Sequence, residues 1–160
     1  MHVVQSLIVV TKQVLEEYAE RGVFRSFSQI ASKRECDEFR FYWLFNLPFH
    51  LVHDRTRGEL SFKKLLPGIA AGSPIELELR AFLDSLTAPD RVEHRRIDTS
   101  KLKVRISNLR GTVTLKFKVV GGDYEYAVRK AINAVNEVFL TFLNVRFPEY
   151  MIDKFKLSDE

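Results

Sequence analysis

Apolar residues recur at Val3, Leu7, Val10, Val14 and Tyr18, in steps of four, three, four and four. That spacing predicts an amphipathic helix, because residues three and four apart share one face. Ile8 and Leu15 widen the stripe, and Gly22 supplies a stop. A first strand is expected over 23–30, with Phe24 and Phe27 on opposite faces, and 31–37 reads as a polar loop. The period then changes to two. Phe39, Phe41, Trp43 and Phe45 alternate with Glu38, Arg40, Tyr42 and Leu44, which predicts a strand with one aromatic face. Asn46-Leu47-Pro48 interrupts it, 49–53 resumes, 54–58 turns, and 59–65 returns with Leu60 and Phe62 on the buried side.

Pro67-Gly68 breaks the pattern, and a helix is expected over 73–86. Ser73 can cap it, Pro74 suits the first helical position, and Glu76 completes a capping box. Ile75, Leu79, Phe82, Leu83 and Leu86 form its stripe, and 87–100 is polar. Leu102, Val104 and Ile106, then Val113, Leu115, Phe117 and Val119, predict a hairpin turning at Asn108-Leu109-Arg110-Gly111. Gly121-Gly122-Asp123 leads into a long helix with Val128, Ile132, Val135, Phe139 and Phe142 on one side, and a short terminal helix begins at Pro148. The order α-β-β-β-β-α-β-β-α predicts an α+β domain over 1–160. Its antiparallel or mixed sheet of five to six strands carries N-terminal, middle and C-terminal helices. Segments 49–86 and 102–143 both read as hairpin then helix, each with Arg-Gly in its turn (Arg57-Gly58 and Arg110-Gly111).

Composition narrows the class. At 160 residues, with 46% hydrophobic and 29% charged residues, the chain can bury a core without staples. A single cysteine excludes an internal disulfide. The apolar run 7–10 is far shorter than the roughly 20 residues of a membrane span, and no basic residue precedes Lys12, so a cytoplasmic protein with no membrane association is expected. The net charge of +4 is a mild bias, but its distribution is uneven. Between 91 and 118 the bases are Arg91, Arg95, Arg96, Lys101, Lys103, Arg105, Arg110, Lys116 and Lys118, against Glu93 and Asp98 alone. Strand alternation puts Lys103, Arg105, Lys116 and Lys118 on one face of the hairpin, the expected partner-binding residues.

No catalytic or metal-ligating set emerges, and no cofactor is expected. His50 and His53 lie three apart, on opposite faces of a strand, so they do not converge on one metal. His94 lies in a charged loop. Cys36 has acids on both sides and no assigned base. Gly121-Gly122-Asp123 lacks the glycine spacing of a phosphate loop. Thirteen Phe, five Tyr and one Trp make 12% of the chain, most of them expected in the core, and Phe147, Tyr150, Met151 and Phe155 in the last segment are candidates for an oligomer contact.

The helix over 3–18, the strand over 39–45, the helix over 75–86, the hairpin over 102–119 and the helix over 128–143 together resemble the small α/β fold of class I type III secretion chaperones and their YbjN-like relatives. The likeness is one of element order and size. It implies a non-enzymatic, commonly dimeric protein that holds a partner segment against its surface. Those chaperones are usually acidic, whereas this chain is basic. The expectation is therefore a chaperone-like or adaptor module that binds a protein segment of acidic character and self-associates. The alternatives are a nucleic-acid-binding accessory protein using the hairpin 101–118, and a small-molecule-binding domain with a pocket between helix and sheet.

Overall fold

A computed structural model describes residues 2–157. The side chains described begin at Val10, so Val3, Leu7 and Ile8 of the first expected stripe lie outside them. Helix α1 (His2–Glu20) is followed by four strands, β1 (Arg25–Ser32), β2 (Cys36–Trp43), β3 (Leu47–Asp54) and β4 (Glu59–Leu66). Then come α2 (Pro74–Ser85), the hairpin β5 (Leu102–Leu109) and β6 (Thr112–Val119), and α3 (Tyr124–Glu137). A π-helical stretch, Val138–Leu143, carries α3 on into the short α4 (Asn144–Arg146), and α5 (Pro148–Phe155) ends the fold. The strands form one antiparallel sheet in the order β1-β2-β3-β4-β6-β5.

Local chemistry explains most boundaries. Ser73 Oγ accepts the Glu76 N–H at 3.4 Å, and the Glu76 carboxylate accepts the Gly72 N–H at 3.0 Å, a capping box reaching one residue further back than usual. Asp123 accepts the Tyr126 N–H at 3.1 Å and starts α3. The β5–β6 turn is Arg110-Gly111, with φ of 53° and 87°, the primed geometry that matches strand twist in a two-residue hairpin.

All helices lie on one face of the sheet. Phe39, Phe41, Phe49, Leu51, Leu60, Phe62, Leu115 and Phe117 project from the strands and meet Leu79, Leu83, Val128, Val135 and Phe139. Aromatic rings run through this layer, with Phe24 stacked on Phe41 at 4.1 Å and Phe49 edge-on to Phe139 at 5.7 Å.

The first half of the sheet corrects three expectations. Phe24 and Phe27 both turn inward, because Ser26 has φ of 54° and the register shifts between Arg25 and Ser28. The β1–β2 loop is only 33–35, since Ala31, Ser32, Cys36 and Asp37 are all paired in strands. The aromatic strand stops at Trp43. Leu44–Asn46 form a 3-10 turn with Phe45 and Asn46 at φ of 54° and 58°, and Phe45 leaves the strand face to approach Phe139. Reversing the chain within three residues requires those left-handed angles, and two in succession end the regular strand.

Candidate functional site

The face opposite the helices is open, and it is where charge collects. From β5 to β2 it presents Lys103, Arg105, Lys116, Lys118, Glu59, Ser61, Lys63, His50, Val52, Asp54, Glu38, Arg40 and Tyr42. The four bases expected to bind a partner share this face. Lys103 lies directly opposite Lys118, and Arg105 directly opposite Lys116. Like charges so opposed destabilise a sheet by about 0.2–1 kcal/mol per pair. Arg105 reaches diagonally to Glu59 at 2.9 Å, and Lys118 donates to the Arg57 carbonyl. Lys103 and Lys116 have no carboxylate within 4.0 Å among the described residues.

Nearer β1 the same face is hollowed. Two adjoining depressions, of about 350 and 450 Å³, share the walls Arg40, His50, Lys63 and Lys64. Tyr42 and Pro48 border the first, and Lys33, Cys36, Glu38 and Val52 the second. Arg40 and His50 are cross-strand partners, as are Tyr42 and Pro48. Lys63 and Lys64 are consecutive, so a regular strand would send them to opposite faces. An irregularity prevents that: between the pairs Phe62↔Leu115 and Leu66↔Val113, β4 carries two more residues than β6. Lys64 sits at φ of 49°, and its N–H donates to Thr114 Oγ1 at 3.1 Å instead of joining the ladder. A left-handed angle in a residue with a Cβ costs about 1–2 kcal/mol. Bulges of this kind re-aim side chains, and this one delivers both lysines to the hollow. Sequence reasoning missed the cluster, although a signal was present. Lys64 falls in phase with buried Leu60 and Phe62, and Leu65-Leu66 then breaks the alternation.

His50 and His53 diverge, as their spacing required. His50 is on the open face, where its Nε2 lies 2.8 Å from Glu38 Oε1, and Lys33 approaches the same carboxylate at 3.7 Å. His53 is fully buried on the helix side, 4.6 Å from the Tyr124 ring centroid, with neither ring nitrogen hydrogen-bonded. Burial pulls its pKa down to about 4, reinforced by Arg55 and opposed by Asp37 and Asp54. Its cross-strand partner Asp37, expected in a loop, is also fully buried. Asp37 accepts from Arg55 at 2.6 Å, Ser32 Oγ at 2.9 Å and Gln29 Nε2 at 3.2 Å. Arg55 continues to the carbonyls of Lys33 and Arg34, clamping the β1–β2 loop. This corner is structural. A carboxylate with three donors is satisfied, and the arginine that holds it is itself held. Parity was the overlooked signal, since Asp37 is in phase with Phe39 and Phe41, and His53 with Phe49 and Leu51.

Burial and the nearby Asp54 push the Cys36 thiol pKa up, disfavouring the thiolate. Among the described residues, no three His, Cys, Asp or Glu side chains cluster as metal ligands would, and no helix is long and apolar enough to cross a membrane. The C-terminal apolar residues engage their own chain. Met151 is buried, Phe147 lies edge-on to Phe142 at 5.4 Å, Phe155 lies 5.8 Å from Phe139, and the Tyr150 hydroxyl donates to the Pro67 carbonyl at 2.6 Å. Burial raises the Tyr150 pKa. Phe147, Tyr150 and Phe155 stay half-buried, with Leu140, Val145 and Ile152 exposed nearby. Compared with family models, curated proteins and solved structures, the chain matches none.

Proposed function

We propose that this protein is a non-enzymatic interaction module that holds an acidic segment of a partner protein on the open face of its sheet. One observation carries the reading: the opposition of Lys103 to Lys118 and of Arg105 to Lys116 on a face that none of the described helices covers. Within the fold Arg105 is met by Glu59 and Lys118 by the Arg57 carbonyl, while Lys103 and Lys116 are left without a carboxylate, which an acidic segment laid along β5 and β6 would supply. An extended segment places alternate side chains roughly 6.6–6.8 Å apart, the same repeat as Lys103 to Arg105 and Lys116 to Lys118. β5 is an edge strand whose register with β6 is unbroken, so its outer main-chain groups can pair with the segment while the bases select its charge. The field of the face raises the encounter rate. The resemblance in element order to secretion chaperones, which hold partner segments, points the same way. The other sheet edge, β1, is interrupted by register shifts that blunt it. Self-association would therefore use the β5 edge and compete with partner capture.

The test is a binding series with a short peptide alternating Glu and Thr, and a single-stranded oligonucleotide of equal charge, over increasing salt. The peptide is expected to bind more tightly. The variant with Lys103, Lys116 and Lys118 changed to Glu, with Arg105 kept against Glu59, should lose more than about tenfold in affinity while keeping its fold. Tighter oligonucleotide binding with a steep salt slope would transfer the face to nucleic acid. Undiminished peptide binding by the variant would reject the assignment.

A further inference from the structure

We infer that the hollow walled by Arg40, His50, Lys63 and Lys64 is a subsite for a phosphate monoester. It lies on the same face as the proposed segment-binding strands but on different strands, β2 to β4, and it rests on a different observation. Three donors, Arg40, Lys63 and Lys64, come from two strands and face a shared hollow, with His50 on the strand between them. Among the described residues, Arg40, Lys63 and Lys64 have neither a carboxylate within 4.0 Å nor a side-chain hydrogen bond. The one carboxylate in the walls, Glu38, is already taken by His50 and Lys33. Three uncompensated cations around one small volume are more than a single carboxylate neutralises. A phosphate monoester, with nearly two negative charges and three acceptor oxygens, matches the set, and the Arg40 guanidinium offers the planar fork that phosphate takes up.

The backbone supports the same conclusion. Ser26 and Lys64 both hold left-handed angles and both border the first depression, and Phe45 and Asn46, also left-handed, make the turn just beyond its Tyr42–Pro48 wall. Strain in a non-glycine residue persists where the surroundings enforce it, and it concentrates at binding sites. At Lys64 the strained residue is itself the donor. A glycine would relax the backbone but contribute no charge. The half-exposed Tyr42 ring and Pro48 form an apolar wall next to the donors. They suit the carbon attached to an ester phosphate better than a bare inorganic ion. The ester could be a phosphorylated serine within the acidic segment or a free small molecule, and the chemistry of recognition is the same.

The experiment is amide-resolved NMR titration of the full chain with four probes. These are inorganic phosphate, phenyl phosphate, the Glu/Thr peptide, and the same peptide carrying one phosphoserine. Saturable shifts centred on Arg40, His50, Lys63 and Lys64 are expected with phenyl phosphate. The phosphopeptide should bind about tenfold more tightly than its parent, the increment of one good charge-assisted contact. The Lys64→Gly/Arg40→Gln variant should lose the phenyl phosphate response and the phosphoserine increment, yet bind the parent peptide as before. Lys64→Gly alone separates lost charge from misfolding, since glycine accepts the angle. A phenyl phosphate response with no binding of either peptide supports the subsite, assigns its ligand to a free ester, and rejects only the segment reading. Equal affinity for the two peptides together with no saturable response to phenyl phosphate overturns the subsite. So does a variant that responds like the wild type.

Discussion

The two hairpins of this sheet share a plan and differ in finish. β3–β4 is followed by α2, β5–β6 by α3, and β4 and β6 lie side by side at the junction. The second hairpin turns in two residues and keeps an unbroken register, with every second residue inward. The first turns through Arg55-Thr56-Arg57-Gly58, buries an unpartnered histidine and carries the Lys63–Lys64 irregularity. In the regular hairpin, charge stands on a flat surface and each base keeps the place its parity assigns. In the irregular one, backbone strain gathers charge into a concavity. A flat charged strip can steer and register an extended partner, whereas a concavity can select a particular group on it.

The largest effect expected from disturbing this comparison lies beneath the irregular hairpin. Asp37→Ala removes the acceptor for Arg55 and leaves a nearly buried guanidinium unpaired, so unfolding free energy should drop by about 3–5 kcal/mol in urea titration. A drop below about 1 kcal/mol would show that solvent reaches Arg55 and that the corner is not what holds the first half together.

Acid should act on the first hairpin next. The folded pKa of His53 is about 4 against 6.5 for the free side chain. Between those values the unfolded chain binds the proton and the folded chain does not. Stability attributable to His53 is therefore complete above pH 6.5, falls as pH drops towards 4, and is lost by about 3 kcal/mol in total. His53→Leu should abolish this part of the slope at little cost at neutral pH, because no hydrogen bond is lost. An unchanged slope in that variant would locate the titration elsewhere.

Smaller effects separate strain with a use from strain in a turn. Lys64→Gly and Arg110→Gly each remove a left-handed non-glycine residue and should each raise stability by about 1 kcal/mol in denaturant titration. Only the first should alter phosphate binding. Smallest of all, Lys116→Glu replaces repulsion from Arg105 with attraction and should raise stability by about 0.5 kcal/mol, a gain that fades as salt increases. A loss of stability would mean that the Glu59–Arg105 pair already offsets the repulsion.

Much of the architecture was legible. The stripe of α2, the caps at Ser73 and Asp123, and the alternation of β5 and β6 all depend on neighbours a few residues away. The face shared by Lys103, Arg105, Lys116 and Lys118 followed from parity alone. Parity also pointed Asp37 and His53 inward, but the polar run 31–37 made a loop the natural reading for Asp37, and His53 stood at the end of its expected strand. Only the donors supplied by Ser32, Gln29 and Arg55 make a buried Asp37 tolerable.

The sequence by itself determined what local sterics and hydrogen bonding decide: the periods, the caps, the Arg110-Gly111 turn, and which hairpin face is basic. The tertiary structure alone decided that β4 pairs with β6 across an intervening helix, and with it the position of the hollow. The Lys64 N–H meets a Thr114 hydroxyl fifty residues away. A contact of that separation leaves no period in the chain, because its geometry is set by the packing of the whole sheet and not by the backbone preferences of the residues beside it.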